Sequence, residues 1–231
     1  LVNMYLHKFT NPKINEYDTL SSEDRWNEYY DVILANPPFF SPKGGIVPHN
    51  RFGVNSSKAE VLFIDYINEH LKPNGRAGII VPEGVIFQTG ATYKQLRKKL
   101  IETSLVGVIS LPAGIFQPYS GVKTSILILD KKNKNNDKVF FANIKNDGYS
   151  LGSQRNLISE NDLPQIISDL KDFPKIKNNE KITLVDKTEI INSDNFNLSL
   201  NHYSKSDIKS NYKVVKLKDV LKEKPLYGSG A

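Results

Sequence analysis

The chain has 231 residues, enough to bury a real core and to form one large domain or one domain plus part of another; its 31 Lys and Arg against 25 Asp and Glu leave a formal net charge of +6. The absence of cysteine excludes disulfides, zinc-thiolate sites and thiol nucleophiles, and fits a cytoplasmic protein. No apolar run approaches a bilayer span, residues 1–20 lack the basic-then-apolar order of a signal peptide, and the modest basic excess is compatible with a polyanionic partner although a lysine-rich compositional bias explains it as simply.

In chain order, the first strong element is Val-Ile-Leu-Ala at residues 32–35, a continuous apolar run that predicts a parallel strand covered on both faces. Asp31 and Asn36 bracket it. Residues 57–60 (SKAE) have the spacing of a capping box and open a helix with Ala59, Leu62, Phe63, Tyr66 and Ile67 on one face, stopped by Pro73, Asn74 and Gly75. "RAGIIVP" reads as a second buried strand. Residues 92–95 (TYKQ) form another capping box, opening a helix with Tyr93, Leu96 and Leu100 inward. "SLVGVISLP", "VKTSILILDK" and "KVFFANI" are three further strands, the first two separated by "AGIFQPYSG" and the last two by a lysine- and asparagine-rich stretch, 131–138, read as a solvated turn between edge strands.

Strand and helix alternate and then strands follow closely, which predicts an α/β fold: a mostly parallel sheet with helices on both sides and an antiparallel edge hairpin. From about residue 149 the composition turns polar. "ISENDLPQIISDL" predicts a short helix in an otherwise irregular connector, and a boundary falls near residue 210. The expected organisation is a partial catalytic domain over 1–148, a connector over 149–210 and the start of a second domain over 211–231. The leucine at position 1 and the strand-and-helix pattern that breaks off near the end suggest part of a longer polypeptide.

"DVILANPPFF" at 31–40 carries the chemistry. Ligands of open α/β sheets bind outside the carboxyl ends of the strands, which is where Asn36, Pro37, Pro38 and Phe39 fall. Two prolines make a stiff loop whose carbonyls can face a ligand, so the Asn36 side-chain oxygen and the Pro37 carbonyl form a pair of acceptors. Such a pair suits an amino group on an aromatic ring: accepting both N–H bonds frees the delocalised lone pair, and the oxygens stabilise positive charge as nitrogen attacks a methyl donor. Phe39 would restack a base taken out of a duplex, worth ~1–3 kcal/mol. The plainer reading is that Pro-Pro ends a strand and the phenylalanines are core.

With these residues in hand, the chain resembles the N6-adenine DNA methyltransferases, most closely the modification subunit of type I restriction-modification systems. "DTL" at 18–20 resembles the acidic segment before the catalytic loop and "DVILANPPFF" the catalytic motif. "KAEVLFIDYINEHLKPNGRAGIIVPEGVIF" resembles the next helix-strand segment, "LPAGIFQPYSGVKTSILILDK" the late hairpin and "DNFNLSLNHY" the segment closing the methyltransferase part. The resemblance implies the C-terminal part of a Rossmann-like, S-adenosylmethionine-dependent methyltransferase domain. It implies that Asn36 and Pro37 hold the adenine N6, that Phe39 stacks on the flipped base with Phe116 or Tyr119 on its other side, and that Asp18 and Phe63 lie near the cofactor. Core packing is an alternative for Phe63 and hairpin packing for Phe116.

The family's glycine-rich loop after its first strand and acidic residue after its second are not found: no Gly-x-Gly precedes the run at 32–35. "YKVVKLKDVLKEKPLYGSG" resembles the opening of a target-recognition domain of a specificity subunit. The implied partners are double-stranded DNA, a specificity subunit or fused specificity domain, and a restriction subunit, with no membrane. Two rival readings are a non-catalytic DNA-binding or subunit-docking fragment, and methylation of RNA or a protein amide.

Overall fold

The computed structural model describes residues 2–39, 43–203 and 215. Its elements are α1 (Val2–Leu6), β1 (Tyr30–Ala35), α2 (Ala59–Glu69), β2 (Leu71–Pro82), α3 (Glu83–Phe87), α4 (Ala91–Thr103), β3 (Leu105–Ser110), β4 (Thr124–Asp130), β5 (Lys138–Asn143), β6 (Asp147–Tyr149), β7 (Leu157–Asn161), α5 (Leu163–Leu170), β8 (Ile182–Asp186), α6 (Lys187–Asn192) and α7 (Leu200–Tyr203).

Six strands form one sheet in the order β1-β2-β4-β3-β5-β8, and β6 and β7 form a separate hairpin. β1 pairs parallel with β2 and β3 with β5, while β4 lies antiparallel between β2 and β3 and β8 runs antiparallel along β5. Four strands therefore share one direction, the mostly parallel α/β sheet expected from the sequence, and the antiparallel edge is β8. Residues 131–138 do not join paired strands. They carry the chain from β4 past β3 to β5, because β4 sits inside the sheet. Residues 182–186, expected within an irregular connector, supply the edge strand, and the helix expected over 158–170 starts only at Leu163, after β7.

Alternation along the strands sorts side chains to two faces. One face, with Ala77, Ile79, Val81, Leu127, Leu129, Val108 and Phe141, is sealed by α2, α3, α4 and α6 through Val61, Ile64, Val85, Leu96, Leu100 and Ile190. The other is covered only at the β3, β5 and β8 end, where Val106, Phe140 and Ile182 pack against Ile166 of α5, Ile176 and Phe173. Toward β1 it stays open: Val32 is 56% and Leu34 83% exposed, while Ile33 and Ala35 face the sealed side. The run 32–35 is thus an edge strand buried on one face only, which corrects the expectation of a strand covered on both.

Neither capping box forms. α2 has Lys58 and α4 has Gly90 at the N-cap, both without a side-chain bond. Ser56 Oγ accepts from the Lys58 N–H at 3.0 Å, and Glu60 accepts from the Tyr93 hydroxyl at 2.6 Å, so the carboxylate ties two helices together instead of closing its own first turn. The proline-glycine stretch at 73–75 also lies outside α2. It belongs to β2, where pairing jumps from Tyr30–Leu71 to Val32–Arg76, as a proline that cannot donate to the ladder requires.

Arg97 of α4 is fully buried and fastens the segment after α6 to α3 and α4. Its guanidinium donates to the carbonyls of Val85, Gln88, Asn195 and Phe196 at 2.7–3.2 Å. The Leu198 N–H then reaches the Ile86 carbonyl at 3.0 Å.

Candidate active site

β1 ends at Ala35, opposite Ile79, while its neighbour β2 continues to Pro82. Asn36 emerges exposed at the carboxyl end of this parallel pair, followed by buried Pro37, exposed Pro38 and half-buried Phe39. The order follows from chemistry: the strand stops where two residues without N–H groups can no longer extend the ladder.

Two cavities meet at this loop. The first, about 560 Å³, is lined by Tyr17, Asp18, Leu20, Pro38, Ile46 and Phe63. It brings together both residues expected near the cofactor and one proline of the motif. The second, about 450 Å³ and almost wholly apolar, lies on the open sheet face and is lined by Leu34, Ala35, Asn36, Gly78, Ile80 and Ile126. Asn36 is therefore on the sheet side of the loop and Pro38 on the side of Asp18.

Asp18 is exposed and held by its own turn. Its Oδ1 accepts from the N–H groups of Leu20 at 3.1 Å and Ser21 at 3.2 Å, and Oδ2 accepts from the Ser21 hydroxyl. The Ser21 hydroxyl, then the two backbone donors, keep its pKa below the ordinary carboxylate range, so it is ionised at neutral pH. A carboxylate offers about four lone-pair sites, so acceptor capacity remains for a ligand in the cavity. Phe63 is half-buried, packing beside Leu20, Ala59 and Leu62 while also lining the cavity.

The far wall of that cavity is Gly45, Ile46 and Val47, which sequence reasoning missed. Ile46 N–H donates to the Ser57 carbonyl at 3.0 Å, and His49 N–H to the Leu20 carbonyl at 3.3 Å, so this loop is stitched to the segment leading into α2 and to the Asp18 turn. Gly45 has φ +78°, and a Cβ there would lie 2.8 Å from the Ser57 Cβ. The Gly-Gly pair at 44–45 was the available signal.

Phe116 and Tyr119 lie on the loop from β3 to β4, half-buried and 95% exposed respectively. Its base is tied to the carboxyl end of β2, where the Glu83 N–H donates to the Lys123 carbonyl at 3.0 Å. β2 thus separates the Asn36 loop from the Phe116 loop along one edge of the sheet. Phe116 and Tyr119 line neither cavity.

A family model described as N-6 DNA Methylase matches residues 1–211. The chain belongs to the N-6 DNA methylase family. The chain is 33% identical over 149 residues to the Type I restriction enzyme EcoEI methylase subunit of Escherichia coli, covering 63% of this chain and 30% of that protein. It is similar to the type I restriction-modification methyltransferase subunit of Streptococcus thermophilus, with TM-score 0.67, 29% identity, and 85% and 43% of the two chains covered. A chain from a structure describing assembly and conformational transition of a type I system gives TM-score 0.69 at 27% identity, covering 86% and 43%. This N-6 DNA methylase family member thus spans between about a third and under half of the length of these relatives. Among the described residues no helix is long and apolar enough to cross a membrane, and no cluster of three or more His, Cys, Asp or Glu side chains is placed to hold a metal ion.

Proposed function

We propose that this chain carries the base-holding part of a site-specific DNA methyltransferase that moves a methyl group from S-adenosylmethionine to adenine N6 in a type I restriction-modification system. The observation that carries the reading is the position of Asn36, Pro37, Pro38 and Phe39 at the carboxyl end of β1, beside the cavity that holds Asp18 and Phe63.

That cavity suits a nucleoside: it offers one ionised carboxylate, an aromatic face and aliphatic walls from Leu20 and Ile46. S-adenosylmethionine, when bound, supplies an electrophilic methyl group. The Asn36 side-chain oxygen and the Pro37 carbonyl would accept the two N6–H bonds, which localises the nitrogen lone pair and stabilises the charge that develops on it. Phe39 would stack on the extruded base, and Phe116 or Tyr119 would approach it from the β3–β4 loop. Double-stranded DNA, a specificity subunit or fused specificity domain, and a restriction subunit are the proposed partners in the cytoplasm. We further propose the division at residues 148 and 210, with a target-recognition-like part over 211–231; apart from Val215 that stretch lies outside the described residues.

The test is methyl transfer from labelled S-adenosylmethionine to duplex DNA, RNA and peptide by the full-length protein that carries this chain. Label on adenine N6 of duplex DNA is expected; label on RNA or peptide alone refutes the reading. Because no Gly-x-Gly turn precedes β1, the 231-residue chain by itself should hold S-adenosylmethionine weakly. A stoichiometric micromolar calorimetric signal would overturn that part.

A further inference from the structure

The loop carrying Phe116 and Tyr119 has little of its own to hold it. Two turn bonds, from Gln117 N–H to the Gly114 carbonyl and from Ser120 N–H to the Phe116 carbonyl, shape it, and its ends are pinned to β2 and β4 through Lys123 and Leu111. Val122 N–H also donates to the Ser120 Oγ at 3.2 Å within the same loop, and among the described residues one hydrogen bond reaches residues 112–120 from another part of the fold: Arg155 Nη1 donates to the Ile115 carbonyl at 2.9 Å.

Arg155 stands in the turn of the β6–β7 hairpin and is itself held from three directions. Its Nη2 pairs with Asp147 Oδ2 on β6, its guanidinium carbon lies 5.6 Å from the centroid of the Tyr149 ring, and its side chain is 23% exposed against 11% for Asp147. The hairpin is anchored in turn to the main sheet. Asp162, just after β7, accepts from the N–H groups of Lys145 and Asn146 at 2.8 and 3.0 Å and pairs with Lys181, next to β8. A continuous path of bonds therefore runs from the sheet edge through the hairpin to the carbonyl preceding Phe116. A planar guanidinium can serve a carboxylate, a carbonyl and a ring at once, whereas an ammonium cannot reproduce that geometry.

We propose that Arg155 is a positioning residue, which holds the Phe116 loop in place for the target base and is itself oriented by Asp147. This rests on the reading of that loop as a base contact. Ordering the loop beforehand lowers the cost of binding DNA, so its loss weakens binding more than turnover.

The experiment compares Arg155→Ala and Arg155→Lys in the full-length protein by amide hydrogen exchange and by steady-state methylation. Loss of one charge-assisted bond predicts roughly 10- to 100-fold faster exchange at the Gln117 and Ser120 amides in the alanine variant, with lysine intermediate. Exchange at Val108 and Phe141 in the sheet should be unchanged, which distinguishes a freed loop from an unfolded protein. KM for DNA should rise about tenfold while kcat stays within about threefold. Exchange at 117 and 120 equal to wild type overturns the proposal whatever the substrate is, and so does faster exchange with KM unaltered. If Phe116→Ala and Tyr119→Ala both leave KM and kcat at wild-type values, the reading of the loop as a base contact fails, a result the exchange measurement cannot mimic.

Discussion

Arg97→Met removes a buried cation while keeping much of its volume, and its cost can be worked from the bonds that disappear. Four carbonyls, on Val85, Gln88, Asn195 and Phe196, lose their side-chain donor. Burial lowers the Arg97 pKa to about 10, so the group is still charged at neutral pH, and no carboxylate pairs with it among the described residues. Each buried acceptor left without a partner costs ~1–3 kcal/mol. Against that sum stands relief from burying a charge, which offsets a large part. The net loss should be about 3–5 kcal/mol, within reach of total unfolding for a domain of ordinary stability. Arg97→Lys keeps the charge but not the planar fork and should recover less than half of it. Urea unfolding with linear extrapolation reads the loss directly. Exchange of the Leu198 amide, bonded to the Ile86 carbonyl, should quicken in the same variants. A loss below about 1 kcal/mol for methionine would mean that the carbonyls find other partners and that Arg97 is not the fastener of the 195–198 segment.

In the full-length protein, Asn36→Ala should lower methylation roughly 10²- to 10³-fold with little change in DNA binding, the scale for one preorganised group aimed at developing charge; near wild-type turnover removes it from the chemistry. Phe39→Ala should weaken retention of the extruded base by ~1–3 kcal/mol while Phe39→Trp retains it, read from 2-aminopurine at the target position; equal signals from the two variants rule out stacking. A Cβ at Gly107 would lie 2.0 Å from the Phe140 ring, so Gly107→Ala should destabilise by about 1–3 kcal/mol, and adding Phe140→Leu should restore part of it if the clash is the cause. Burial first of all holds the pKa values of His49 and His70 below the 6.5 of a free histidine, and both have a buried Nε2 without a partner. The unfolded chain therefore binds protons that the folded chain refuses, and stability should fall as pH drops through about 6.5 toward the folded values. A melting temperature unchanged from about pH 7.5 to 5.5 would contradict this assignment.

What the sequence revealed and what it hid divide along the range of the interactions involved. The helical stripes of α2 and α4 and the strand sequences of β2, β3, β4 and β5 are legible because burial imposes a pattern on neighbouring residues, and the run at 32–35 is legible as a strand though not in its exposed face. Asn36 through Phe39 could be placed at a strand end for the same local reason, whereas the cavity that Asp18 and Phe63 share with Pro38 is a tertiary arrangement that no local pattern gives. The order of the strands was not legible. "VKTSILILDK" and "KVFFANI" are consecutive in sequence, yet β4 is inserted between β2 and β3, a pairing that no residue near 131–138 announces. The capping boxes failed for a related reason: Glu60 had a local partner within reach and a distant one, the Tyr93 hydroxyl 33 positions away, and the distant one won. Polar groups in a folded chain go to whichever partner leaves the fewest buried atoms unpaired, and that is decided only when the sheet and helices have met. Arg97 shows it most plainly: helical spacing puts it on the inward face with Tyr93, Leu96 and Leu100, but its partners, two carbonyls nearby and two almost a hundred residues on, lie outside any local pattern.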